Sequence, residues 1–335
     1  MAKRKKRTTK KKNNSKILSY IAWTLALIAL ALSSLLIGYY LGYSNAEEKI
    51  VRSATEHTVS AKLPLKHKEE KKSVDKRLKE VLKKESKSYS SASHEIESEA
   101  LVNPVRPLPT TKPVVSPACV SKKAKLAIII DDVSTKSQVR AIKSLGLPLT
   151  MSFLPPSRSR PNSAKLASQQ SFYMVHLPME AMHFNKEEPF TMHVYDSQET
   201  ILQRVHDIKV LFPKVAYINN HTGSKFTSNE QAMQRLIYAF NQNGIKFIDS
   251  RTTAKTKAPQ ILKSLGQKYV SRDIFLDHHN DKAYIKTQIK KAIALAKRCG
   301  HVIAIGHPHK NTLEALYESK ALLKSVDLVL VKEIY

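Results

Sequence analysis

Two adjacent acids close an apolar run in Leu-Ala-Ile-Ile-Ile-Asp131-Asp132. Paired carboxylates can divide labour, one holding a metal while the other takes a proton. Neighbouring side chains on a strand face opposite sides, so both acids reach one site only where the backbone bends at the strand end. The competing reading is a helix N-cap, with Asp132 or Ser134 capping a helix over residues 136–145. Further on, His176-Leu-Pro-Met-Glu180 places two ligand-type residues four apart. That spacing would share a helix face, but Pro178 argues against regular helix there. His221 lies in the polar turn Asn219-Asn220-His221-Thr222-Gly223-Ser224, where Gly223 allows unusual torsions. Taken singly, His176 and His221 read as hydrogen-bonded structural residues. His307 is different, because Gly306 and Pro308 fix its presentation directly after an apolar run. His183, His193, His278, His279 and His309 read as surface or loop residues.

The elements that must position these groups are short apolar runs at residues 126–130, 149–153, 172–175, 215–218, 246–248, 274–276, 302–305 and 328–331. Between them, residues 199–211, 230–241 and 284–298 have the length and mixed polarity of amphipathic helices. Apolar strands alternating with helices predict an α/β fold with a parallel sheet, open or closed into a barrel. In such folds the carboxyl ends of the strands converge on one face. Six runs end in ionisable or metal-binding groups: Asp131 and Asp132; His176 and Glu180; Asn219, Asn220 and His221; Asp249 and Arg251; Asp277; and His307. Their coincidence points to one site.

The chain has 335 residues, 42% of them hydrophobic, which excludes wholesale disorder, and only two Cys, which excludes a disulfide scaffold. Its formal charge of +28 first suggests a nucleic-acid binder. The distribution argues otherwise. Residues 1–125 hold 27 basic and 11 acidic side chains, against 29 and 17 in residues 126–335. Residues 1–16 read as a basic cytoplasmic tail and 17–43 as a transmembrane helix, uncharged from Ile17 to Leu41 and closed by Tyr39, Tyr40 and Tyr43. A cleaved signal peptide is the competing reading, but the apolar run exceeds the roughly 7–15 residues of a signal's core. Basic residues ahead of the span keep that end inside, leave anionic membrane lipid as a partner, and place the rest in the periplasm, away from nucleic acid. Residues 44–125 read as a disordered linker that stiffens at its Pro-rich end. Within it Val74, Leu78, Val81 and Leu82 keep helical spacing. Cys119 and Cys299 permit either one bridge or two thiols.

The motifs Ile-Ile-Ile-Asp131-Asp132, His176-Leu-Pro-Met-Glu180, Asn219-Asn-His-Thr-Gly-Ser224, Phe247-Ile-Asp-Ser-Arg-Thr252, Arg272-Asp-Ile-Phe-Leu-Asp277 and Ile305-Gly-His-Pro308 resemble, in order, the divergent polysaccharide deacetylases. The resemblance covers residues 126–335. It implies a distorted (β/α) barrel of about seven to eight strands and a divalent metal, Zn²⁺ foremost. By position Asp131 would be the base, Asp132, His176 and His221 the metal ligands, and His307 the acid. Glu180, Asn220, Asp249, Arg251, Arg272 and Asp277 would be supporting or substrate-binding residues, with Arg272 or Arg251 pairing with Asp131 to hold it ionised. Related deacetylases carry His-[Ser/Thr]-x-x-His, where this chain has His176-x-x-x-Glu180. The implied reaction is hydrolysis of N-acetyl or O-acetyl groups on an envelope polysaccharide or peptidoglycan-like glycan. The alternative is a non-catalytic envelope protein that binds glycan or protein in the same cleft.

Overall fold

The computed structural model describes residues 123–183 and 186–335, together with Trp23 and Leu25, which are helical and exposed. The basic tail, most of the expected span, the linker up to residue 122, the Val74 to Leu82 pattern and Cys119 lie outside the described residues. No helix among the described residues is long and apolar enough to cross a membrane.

The strands are β1 (Lys125–Val133), β2 (Thr150–Phe153), β3 (Met174–Met179), β4 (Tyr217–Thr222), β5 (Lys246–Ile248), β6 (Ile274–Phe275), β7 (His301–Gly306) and β8 (Asp327–Val329). All pairings are parallel, in the order β5-β4-β3-β2-β1-β7-β6. β1 joins β2 only from Ile129 onward, and β8 pairs with Lys125, Leu126 and Ala127 on the stretch that β2 does not reach. A parallel bridge between Asp249 and Ser271 brings the β5 end of the path to the segment before β6. The result is a parallel α/β barrel-like fold. Its helices are α1 (Lys136–Ser144), α2 (Ser163–Ser168), α3 (Gln198–Leu211), α4 (Ser224–Ser228), α5 (Glu230–Gln242), α6 (Ala258–Ser264), α7 (Lys282–Cys299), α8 (Lys310–Glu318) and α9 (Lys320–Leu323).

Two cores follow from the two faces of these strands. Leu126, Ile128 and Ile130 of β1, Val175 and Leu177 of β3, Ile218 of β4, and Val302 and Ala304 of β7 pack in the larger core with the helices. Ala127 and Ile129, Met174, Ile248, Phe275, and Ile303 and Ile305 fill the smaller interior core, which Val331 and Ile334 also join. Side chains alternate along a strand. The interior positions therefore continue upward as Asp131, His176, Asn219 and His221, Asp277 and His307, and hydrophobic patterning has aimed the polar groups before any of them interact.

The strand-to-helix turn after β1 corrects one expectation. Neither Asp132 nor Ser134 caps α1; Thr135 does, accepting from the Gln138 N–H in a reciprocal capping box. Asp132 is left available for the strand end.

Candidate active site

Asp132 breaks the alternation that would turn it toward the helices. Its φ is +56°, and the β1–β2 register shifts between Ile130 and Val133. A left-handed residue inside a bulge re-aims its side chain, so both acids serve the same site. The His176 Nε2 atom lies 3.6 Å from Asp131 Oδ2 and 3.6 Å from Asp132 Oδ1. His221 Nδ1 is 3.1 Å from Asp132 Oδ1, and the two imidazoles meet edge to face with centroids 5.0 Å apart. Asp132, His176 and His221 are all buried, and one ligand atom from each lies within 4.8 Å of the others.

His221 is set by strained backbone beyond it. Thr222 has φ +51° and Gly223 has φ +91°. A Cβ on Gly223 would stand 2.9 Å from Met179 Cβ. Gly223→Ala is therefore expected to destabilise the domain by about 1–3 kcal/mol, measured by denaturant melting. An unchanged midpoint would contradict the close approach.

Asn219 binds Asp131 directly. Its Nδ2 donates to Asp131 Oδ1 and Oδ2 at 3.0 and 2.9 Å, and its Oδ1 accepts from Ser152 Oγ at 2.6 Å. Across the site, Asp277 Oδ1 stands 3.0 Å from His307 Nδ1. Asp277 Oδ2 accepts from the His307 N–H at 2.7 Å and from Thr312 Oγ1 at 2.6 Å. Gly306 lets this pair sit close to α8, since a Cβ there would lie 3.2 Å from Thr312 Cγ2 and 3.4 Å from Asp277 Oδ2.

The model of the family described as "Divergent polysaccharide deacetylase" matches residues 128–335. The chain belongs to this family. An "Uncharacterized protein" of Haemophilus influenzae (strain ATCC 51907 / DSM 11121 / KW20 / Rd) is 35% identical over 198 residues, 58% of this chain and 70% of its own. "Uncharacterized protein YibQ" of Escherichia coli (strain K12) is 34% identical over 213 residues, 62% of this chain and 66% of its own, so the match spans just under two thirds of that relative. Among solved structures, an uncharacterized protein from Agrobacterium tumefaciens C58 superposes with a TM-score of 0.57 at 18% identity, covering 65% of this chain and 92% of that one. That likeness concerns the fold.

Within the divergent deacetylase domain the donor set suits a divalent metal. Two imidazoles and a carboxylate are zinc's habitual ligands, and pairs of ligands around a tetrahedral ion stand roughly 3.3 Å apart. The spacings of 3.1 and 3.6 Å about Asp132 Oδ1 agree. Burial pushes the Asp131 carboxyl up to about 7; His307, Asn219 and His221 oppose that rise and Asp132 adds to it. Burial works against a charged His307, but the charge and hydrogen bond of Asp277, with Asp132 and Asp131, together outweigh it and carry the imidazole up to about 9. Burial works in the same way against the Asp277 carboxylate, and the charge and hydrogen bonds of His307, with Thr312, hold it below the usual range.

Several positions differ from expectation. Glu180 does not join the His176 and His221 pair: Val194 N–H donates to its Oε2 at 2.9 Å and Lys225 Nζ to its Oε1, so it ties the segment after β3 to α4. Neither arginine is the partner of Asp131. Arg272 is buried and donates to the carbonyls of Ser250 and Arg251 at 2.7 and 2.8 Å, and Arg251 lies near Asp249, with φ +51°. Asp249 accepts from Arg251 N–H, Thr256 Oγ1 and Tyr269 OH, a neighbouring buried network. Asn220 braces β4 against the β5 end by accepting from Ser250 N–H at 2.9 Å. Its neighbour Asn219 is the one at the site, and the signal for it was its shared strand face with His221. His309, expected on a surface loop, is half-buried beside His307, with ring centroids 5.7 Å apart.

Proposed function

We propose that this chain is a metal-assisted deacetylase that hydrolyses N-acetyl groups of an envelope glycan. Residues 17–43 anchor it in the cytoplasmic membrane, with the basic tail against anionic lipid and the 126–335 domain in the periplasm. The observation that carries the reading is that Asp131, held by Asn219, and His307, held by Asp277, share one buried cluster with the Asp132, His176 and His221 trio. A pure binding site has no need of a positioned base together with a positioned acid.

Asp132, His176 and His221 would hold a divalent cation, which would supply Lewis acidity and lower the pKa of water toward ~7. Asp131 accepts the proton of the water as its oxygen bonds to the acetyl carbon. Asn219 fixes the carboxylate's plane through both oxygens, so the accepting lone pair is presented without a search. With Nδ1 engaged by Asp277, His307 delivers a proton from Nε2 to the amide nitrogen as the carbon–nitrogen bond breaks. Acetic acid and the free amine of the sugar leave, the acid releasing its proton to solvent as acetate, and the proton on Asp131 returns to His307 through solvent.

The full chain in detergent should release acetate from N-acetylated envelope glycan fragments. Chelation should cut the rate at least ~10²-fold, since Lewis-acid assistance supplies several kcal/mol, and added Zn²⁺ should restore it. Release insensitive to chelation would sink the metal-assisted mechanism. Metal-dependent glycan binding without any acetate would favour the binding protein.

A further inference from the structure

A second group of donors includes the acid itself. One ligand atom from each of Asp277, His307 and His309 lies within 4.8 Å of the others, and this trio shares no residue with Asp132, His176 and His221. We propose that Asp277, His307 and His309 form a second site for a divalent cation of the imidazole-preferring transition class, and that its occupation silences the acid. The inhibitory consequence rests on the deacetylase reading; the binding itself does not.

The geometry is close to what an ion requires. His307 Nδ1 and Asp277 Oδ1 stand 3.0 Å apart, near the roughly 3.3 Å between two ligands of a tetrahedral zinc. An ion entering there displaces the proton between them to solvent and bonds to both atoms. The carboxylate stays oriented meanwhile, because Oδ2 remains bonded to Thr312 Oγ1 and to the His307 N–H, at 2.6 and 2.7 Å. His309 opens α8 as its N-cap residue, directly after Pro308, which places its ring beside that of His307. Pro308 stiffens the backbone between the two imidazoles, which lie at 36° to each other. Imidazole and carboxylate together select zinc, copper or nickel over magnesium or calcium. With an ion on Nδ1 in place of that proton, His307 cannot become the doubly protonated imidazolium, and Nε2 loses its readily transferred proton.

The test is equilibrium dialysis of the full chain in detergent against Zn²⁺ alone, scored as ions lost relative to wild type. The wild type should bind two ions at these sites, with one lost in Asp132→Asn and the other in His309→Gln; His309→Ala and circular dichroism guard against misfolding. Excess Zn²⁺ should inhibit acetate release, and His309→Gln should need at least tenfold more for the same inhibition. If His309→Gln and His309→Ala fold and retain every ion, the second site is overturned and the first stands. If His309→Gln loses an ion and Asp132→Asn loses none, the second site stands and the metal of the proposed mechanism falls.

Discussion

Asp131→Asn is expected to lower acetate release by about 10²–10⁴-fold, the range for removal of a positioned general base, while the chain keeps its bound cation. The amide has the same shape, retains an oxygen for Asn219 Nδ2, and removes only the capacity to take a proton. Stability should not suffer. Burial already drives the Asp131 carboxyl up to about 7, so a neutral side chain is no worse there than a buried charge. A cation beside Asp131 stabilises its ionised form and draws that value down. The loss of rate in the variant should therefore persist across neutral pH and not be recovered at higher pH. Acetate assays, metal analysis and thermal melting on the same preparation separate the possibilities. Release within a few-fold of wild type with a normal cation content would remove Asp131 from the base role.

Much of the barrel was legible because parallel strands buried on both faces read as short apolar runs. The eight expected runs correspond to the eight strands of the described residues, with ends displaced by up to four residues, as β3 runs to Met179 and β4 to Thr222 where 175 and 218 are expected. Period-two alternation also reaches the site: Ala127, Ile129 and Asp131 share a face, as do Ile303, Ile305 and His307. Asn219 was readable by the same rule, two residues before His221. What alternation cannot show is the exception. Asp132 reaches the site only through a left-handed backbone and a register shift, and no residue near it signals that bulge. Pro178 already argues against reading His176 and Glu180 as one helix face, and the segment is strand and turn; the sequence does not show that Lys225 takes the Glu180 carboxylate from a distant element. The arginines misled because complementary charge does not reveal distance. Carbonyls of Ser250 and Arg251 take the Arg272 guanidinium, and burial lowers it to about 10.

Asp277→Asn should move the alkaline limb of activity more than any substitution outside the immediate contacts of the acetyl group. In the wild type His307 titrates near 9 because the charge and hydrogen bond of Asp277, with smaller help from Asp132 and Asp131, together outweigh a burial that works against the charged ring. The remaining raising influences are Asp132 and Asp131, both smaller. Without the Asp277 charge and hydrogen bond, burial meets less opposition, and His307 moves down from about 9. A group raised in the folded protein is protonated below its pKa and loses that proton as pH climbs through it. Wild-type activity should then hold to about pH 9, whereas the variant should decline from a lower pH. Loss of a hydrogen bond to a charged group, about 1.5–3 kcal/mol, predicts roughly 2–10-fold slower release at pH 8 and a smaller deficit at pH 6. The amide oxygen can still accept from Thr312 Oγ1 and the His307 N–H, so loss of the local fold is not the expected cause. A purely structural role for Asp277 would lower the rate equally at every pH and leave the limb in place. The pH profile, not the rate at one pH, tells these apart, and an unshifted alkaline limb would mean that His307 does not deliver the proton.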